Sequence, residues 1–172
     1  MVSIVDNFLE AEDFKNVQSY LLSAICFWQY VDHVDNYEYR NELDTFQFVH
    51  GFYNMPILWK DIERLESIIK KIDPVAVYRI KANLIPKTSD IIENSLHVDI
   101  IELVDSSEKL KQWTTSIYYV NTNDGYTKFE TGEIVESVGN RMVTFPSNIL
   151  HTGTSCTDEK VRVVINFDYF SK

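Results

Sequence analysis

The spacing of apolar positions changes near residue 75. Before it, after a short β-like start at Ser3, Phe14, Val17, Tyr20, Leu21 and Ala24 recur at helical intervals across residues 11–24, with Asp6 and Asn7 placed to cap the start. A second helical pattern covers residues 57–72. Leu58, Ile62, Leu65, Ile68, Ile69 and Ile72 share one face, Asp61, Glu63, Arg64 and Lys70 fall mostly on the other, and Asp73-Pro74 ends it. Between the helices, residues 27–31 and 45–53 read as strands joined by a polar loop over 32–44.

After residue 75 the period becomes two. Strands are predicted over residues 75–85, 95–101, 113–120, 126–130, 134–138, 141–145, 149–153 and 161–170, with a charged loop over 102–112. The later ones are punctuated by Asn123-Asp124-Gly125, Thr131-Gly132, Gly139-Asn140 and Pro146-Ser147-Asn148. Short strands at such regular spacing indicate a sandwich or jelly-roll barrel. With no internal repeat and no linker, residues 1–172 read as one domain, in which 1–74 support a β core over 75–170.

Composition narrows the function. Hydrophobic residues make up 45% and charged residues 24%, as in globular proteins. Acidic residues outnumber basic ones 26 to 16, giving a net charge of −10 that repels phosphate backbones and argues against a nucleic-acid partner. Cys26 and Cys156 stand far apart, which indicates neither a disulfide framework nor a cysteine zinc site. The N-terminus lacks a signal-peptide pattern and no apolar run approaches the ~20 residues that span a bilayer, so a cytoplasmic protein without membrane contact is expected.

The chemistry gathers between His97 and Arg162. In a strand, residues two apart face one side, so His97 and Asp99 point together. His151 follows after several turn-bounded strands, as expected if the sheet folds back over the first pair. Two imidazoles and one carboxylate suit non-haem Fe(II) and leave positions open for a co-substrate and oxygen. A second His-x-Asp, His33-Val34-Asp35, lies in a polar loop with no strand ladder after it and reads as ordinary surface; H-x-D alone is weak. Arg162, eleven positions after His151, offers the planar fork that an acidic co-substrate needs, and Tyr119 adds a hydroxyl if its side chain faces inward, Tyr118 then facing outward.

Trp28, Tyr30, Phe46, Phe48, Phe52 and Tyr53 read as core between helix and sheet, and Arg79 and Lys81, alternating along one strand, read as a solvated face. No phosphate-binding or dinucleotide glycine motif occurs, and no G-x-S-x-G.

Taken in order, His97-x-Asp99, Thr115-x-Ile117-Tyr118-Tyr119-Val120-Asn121, Gly125-x-Thr127-x-Phe129, Gly139-Asn140-Arg141-x-Val143-x-Phe145, His151-x-Gly153 and Arg162-x-Val164-x-Asn166-x-Asp168-Tyr169 resemble the 2-oxoglutarate/Fe(II)-dependent dioxygenases of the prolyl 4-hydroxylase-like group, particularly small phage-encoded versions. The resemblance covers about residues 75–170. It implies a mainly β (α+β) fold, a double-stranded β-helix of jelly-roll or cupin-like form with supporting N-terminal helices. His97, Asp99 and His151 would bind iron, Arg162 would hold the 5-carboxylate of 2-oxoglutarate, and Tyr119 stands where relatives often place a tyrosine on that carboxylate. The implied reaction consumes 2-oxoglutarate and O2, gives succinate and CO2, and hydroxylates a small-molecule or peptidyl substrate. The strand before His97 departs from the Tyr-x-x-Gly pattern of animal prolyl hydroxylases, carrying Tyr78, Arg79, Lys81 and Asn83 instead. The alternative from another class is a non-catalytic cupin-like metal-binding or interaction module, which has no need of both an open metal site and a carboxylate anchor.

Overall fold

The computed structural model describes residues 1–34, 45–100 and 107–172. Most of the expected loop over 32–44, including Asp35, and the first part of the one over 102–112 lie outside them. The described elements are β1 (Ser3–Val5), α1 (Ala11–Leu21), β2 (Gln29–Val31), β3 (Gln47–Asn54), β4 (Ile57–Leu58), a 3-10 helix (Lys60–Leu65) and α2 (Glu66–Ile72). There follow β5 (Ala76–Pro86), α3 (Ser107–Leu110), β6 (Thr114–Tyr119), β7 (Tyr126–Phe129), β8 (Ile134–Glu136), β9 (Arg141–Pro146), β10 (His151–Gly153) and β11 (Val161–Phe170).

One sheet runs β1-β9-β6-β11-β5-β3-β2, with β4 paired to β3, and a smaller sheet runs β10-β7-β8; all pairings are antiparallel. The protein is mainly β, a double-stranded β-helix. Its central strands are covered on both faces, which explains why β11 is buried along nearly its whole length. Val163, Ile165, Phe167 and Tyr169 of β11 join Ile80 and Ala82 of β5 under Val17 and Leu21 of α1 and Leu65 and Ile68 of the helical segment. The opposite face meets the small sheet, where Ile117, Tyr119, Val164, Phe129, Val135, Val143 and Phe145 form a second core. The functional side chains occupy this inner face.

Three expected elements differ. The helix over 57–72 is divided, because Ile57 and Leu58 pair with Tyr53 and Asn54 before a 3-10 turn leads into α2. Asp73 ends α2 in a left-handed conformation (φ 51°), ahead of Pro74. Asp6 and Asn7 do not cap α1, which begins after Glu10; Asp6 instead pairs with Arg141. The strand expected over 95–101 makes no ladder among the described residues, and only His97 is bridged, to His151. The aromatic group divides as well: Phe52 is fully buried, whereas Tyr30 and Phe46 are exposed and pack edge-on with Phe48.

A polar tie fixes the helical layer to β3. His50 Nδ1 meets Phe27 O at 2.7 Å, its Nε2 meets Asp61 Oδ2 at 2.6 Å, and the Tyr20 hydroxyl donates to the same oxygen at 2.5 Å. Asp61→Ala leaves His50 and Tyr20 without this acceptor and is expected to cost about 1–3 kcal/mol. A urea titration checks this as a lower midpoint with an unchanged slope.

Candidate metal centre

His97 and His151 exchange both backbone hydrogen bonds, His97 N to His151 O at 2.9 Å and His151 N to His97 O at 3.0 Å. This one bridge places the two imidazoles side by side, ring centroids 5.0 Å apart. Asp99 arrives from the next bend of the chain. One ligand atom from each of His97, Asp99 and His151 lies within 4.8 Å of the others, and His151 Nε2 is 3.3 Å from Asp99 Oδ2. The Nδ1 atoms face backbone carbonyls, Ser95 O at 3.1 Å for His97 and Ile149 O at 3.3 Å for His151. A carbonyl facing Nδ1 fixes the protonated nitrogen and leaves Nε2 for a metal. Phe145 and Phe129 pack against the His151 ring and hold its plane.

Arg79 organises the carboxylates from behind. Its Nη2 reaches Asp99 Oδ1 at 2.8 Å and Asp168 Oδ2 at 2.9 Å, and its Nε donates to Asp168 Oδ2 at 3.0 Å. Asn166 Nδ2 donates to both Asp99 oxygens at 3.3 and 3.4 Å. Burial works to raise the Asp99 pKa, but the His151 hydrogen bond and the Arg79 charge hold it well below the usual carboxylate range. Asp168 differs: burial first, then repulsion from Asp99, pushes it up to about 6. Asp99 is thus kept ionised, as a residue able to hold a metal would need to be.

Arg162 lies at the other end of the inner face, on β11. It is 2% exposed, and among the described residues no carboxylate pairs with it. Its Nε donates to Ser137 Oγ at 2.8 Å, its Nη2 to Thr127 Oγ1 at 3.3 Å, and its guanidinium stands 5.7 Å from the centre of the Tyr119 ring. Burial lowers its pKa. The Tyr119 hydroxyl faces inward and donates to Thr127 Oγ1 at 2.7 Å, while Tyr118 points to the other side and bonds Asn140 Oδ1 at 2.9 Å. Gly125 and Gly153 admit the arginine. A Cβ at Gly125 would stand 2.6 Å from Ser155 O and 2.7 Å from Arg162 Cδ, and one at Gly153 would lie 3.2 Å from Arg162 Nη1. Gly125→Ala is therefore expected to displace Arg162 and weaken an anionic ligand held there by about tenfold, checked by calorimetric titration.

The inner face carries Asp99, His151 and Asn166 at one end, Val164 and Asn83 in the middle, and Arg162 at the other. A buried guanidinium without a counter-charge is costly, and two further buried atoms, Asn83 Oδ1 and Asn166 Oδ1, have no hydrogen-bond partner. The donor set and the unpaired guanidinium fit a divalent metal together with an anionic, chelating co-substrate, whereas the two amide oxygens call for a hydrogen-bond donor. The reading of Arg79 and Lys81 as a solvated face is corrected, since β5 is sandwiched between layers, where Lys81 lines the pocket and Arg79 pairs with Asp99 and Asp168. Arg79, Asn166 and Asp168 went unrecognised as support for the site. The signal was the uninterrupted run of apolar and polar residues on β11, which only a strand covered on both faces can bury.

Elsewhere, Asp124 and Asp158 lie at the surface beside the buried Cys156, but the Asp124 carboxylate is used to tie its turn to the loop of Thr157, whose N–H donates to it at 2.7 Å. His33 pairs with Asp32 and stands apart from the centre.

No protein-family model matches the sequence, and neither does any curated protein. Solved structures do match in fold. A Trichoplax adhaerens prolyl hydroxylase in complex with a hypoxia inducible factor peptide fragment superposes with a TM-score of 0.65 at 13% identity, over 99% of this chain and 83% of that one. A 2OG-Fe(II) oxygenase family oxidoreductase from Burkholderia pseudomallei gives 0.66 at 11%, over 98% and 84%. HygX from Streptomyces hygroscopicus, with nickel, 2-oxoglutarate and hygromycin B bound, gives 0.61 at 9%, over 99% and 83%. This chain shares the fold of those oxygenases, and none of its described helices is long and apolar enough to cross a membrane.

Proposed function

We propose that the protein is a non-haem Fe(II)- and 2-oxoglutarate-dependent oxygenase that hydroxylates a small-molecule or peptidyl substrate in the cytoplasm. The observation that carries this reading is the pairing, in one inner face, of a His-Asp-His cluster with a buried arginine that no carboxylate among the described residues neutralises. A non-catalytic barrel gains nothing from burying that charge.

In this reading His97, Asp99 and His151 hold the metal on one side and leave the opposite positions open. Fe(II) with 2-oxoglutarate supplies the oxidising chemistry, which converts 2-oxoglutarate and O2 to succinate and CO2 as a substrate carbon is hydroxylated. Arg162 takes the distal carboxylate in a bidentate grip, with Thr127 and Ser137 orienting the guanidinium. Tyr119 acts through Thr127, shaping the arginine end. Arg79 and Asn166 fix the Asp99 carboxylate, and Phe129 and Phe145 hold the plane of the His151 ring.

The test is an anaerobic titration of metal-free protein with Fe(II) and 2-oxoglutarate, following the visible charge-transfer band of the chelate. The band is expected in the wild type and lost in His97→Ala and Asp99→Ala, with the fold retained by circular dichroism. A folded, metal-loaded wild type without the band overturns the assignment in favour of a non-catalytic barrel.

A further inference from the structure

Lys81 has no role in this scheme, yet it faces the same pocket. On β5 it stands opposite Asn166 of β11 on one side and Gly51 of β3 on the other, where the Trp59 ring covers Gly51 at 3.4 Å from a would-be Cβ. Its neighbouring charges are Arg79, Asp99 and Asp168, which puts its ammonium at the metal end, away from Arg162. Both carboxylates are already held by Arg79. Among the described residues the Lys81 ammonium makes no hydrogen bond or ion pair. Burial, followed by repulsion from Arg79, pushes its pKa down to about 8, so it remains mostly charged at neutral pH.

The orphaned amides adjoin it on this face, Asn166 across the ladder on β11 and Asn83 two residues along β5. Asn166 turns its Nδ2 to Asp99, so the amide network fixes Oδ1 as the atom without a partner, and Asn83, one inward-facing position along β5, leaves its Oδ1 unpaired too. Both residues are more than nine-tenths buried. Charge accounting gives the same direction. A divalent metal and dianionic 2-oxoglutarate are balanced by Asp99 and Arg162, and Arg79 balances Asp168, which leaves the Lys81 ammonium alone. A half-buried, unpaired ammonium in a pocket is costly unless a ligand neutralises it.

We propose that Lys81, with Asn83 and Asn166, forms a substrate subsite at the metal end of the pocket. It holds a carboxylate on the ammonium and an adjacent N–H or O–H donor on the amide oxygens, the chemistry of a small amino or hydroxy acid or its N-acyl derivative. The inference rests on the oxygenase reading above. The metal-chelating carboxylate of 2-oxoglutarate carries the same chemistry, and the experiment separates the two sources.

Wild type, Lys81→Gln and Lys81→Arg are loaded with redox-silent Zn(II) and titrated calorimetrically with 2-oxoglutarate. Each ternary complex is then titrated with N-acetylglycine and with its neutral amide. The wild-type complex is expected to prefer the acid by about tenfold; Lys81→Gln erases that preference, Lys81→Arg keeps part of it, and 2-oxoglutarate affinity stays within about twofold throughout. A tenfold-order loss of 2-oxoglutarate affinity in Lys81→Gln, with no preference for the acid in the wild type, overturns the substrate subsite and assigns the lysine to the co-substrate. No change in either titration overturns an anion-binding role altogether. Failure of the oxygenase reading shows separately, as wild-type Zn(II) protein that does not bind 2-oxoglutarate; the acid preference is then read in the Zn(II)-only protein. Because Lys81→Gln removes a charge that has no partner, it is expected to fold, and its urea midpoint verifies this.

Discussion

Arg162→Met is expected to abolish useful binding of 2-oxoglutarate while leaving the ligand-free protein as stable as the wild type or more so. The two effects have one origin. Arg162 is buried and, among the described residues, meets only the neutral hydroxyls of Ser137 and Thr127 and the Tyr119 ring, so the empty protein bears the cost of an unneutralised charge. Replacing it by an unbranched apolar side chain removes that cost. The bound state loses a bidentate, desolvated carboxylate pair, worth about 2–5 kcal/mol, or roughly thirtyfold to several thousandfold in affinity. Calorimetry of the metal-loaded protein reads the affinity and a urea titration reads the stability. An arginine serving only the fold would give the reverse, lower stability with co-substrate affinity preserved.

Arg79→Met has the opposite signature. Arg79 holds both Asp99 and Asp168, and its removal leaves two buried carboxylates unpaired, at a cost of about 3–5 kcal/mol in chemical denaturation at neutral pH. The pH dependence has a definite sign. Already in the wild type Asp168 is raised to about 6, with Arg79 acting to lower it. Without Arg79 the folded-state pKa of Asp168 rises further above its unfolded value, so protonation stabilises the fold as pH falls through it. The deficit of the variant is therefore expected to be smaller near pH 5 than near pH 8. On the proposed oxygenase reading, metal affinity is expected to fall as well, by about ten- to a hundredfold, because the Asp99 carboxylate is no longer oriented. An exposed ion pair would show neither the magnitude nor the pH dependence.

Different parts of the chain carried different amounts of information. The change of hydrophobic period near residue 75 determined the mainly β architecture, because a strand alternates sides wherever it lies. The bounds of β11 followed directly, since the polar loop before it and the polar end of the chain frame one apolar run. The order of motifs from His97 to Arg162 singled out the residues that the fold brings onto one inner face. The opposite orientations of Tyr118 and Tyr119 also follow from strand alternation.

Tertiary structure decided the rest. His97 lies on no regular strand; a single bridge to His151 aligns the two rings, and such a contact between distant residues leaves no local pattern. The same holds for Ile57 and Leu58, whose apolar spacing suits a helix until pairing with β3 makes them a short strand. Arg79 and Lys81 show the limit most clearly. An alternation of charged and apolar residues is identical whether the polar face meets water or a ligand pocket. Local sequence sets which side chains share a face, but what meets that face, here Asp168 from the neighbouring strand, Asp99 from the segment bridged to His151, and a pocket in place of open solvent, is fixed only by pairings between distant parts of the chain.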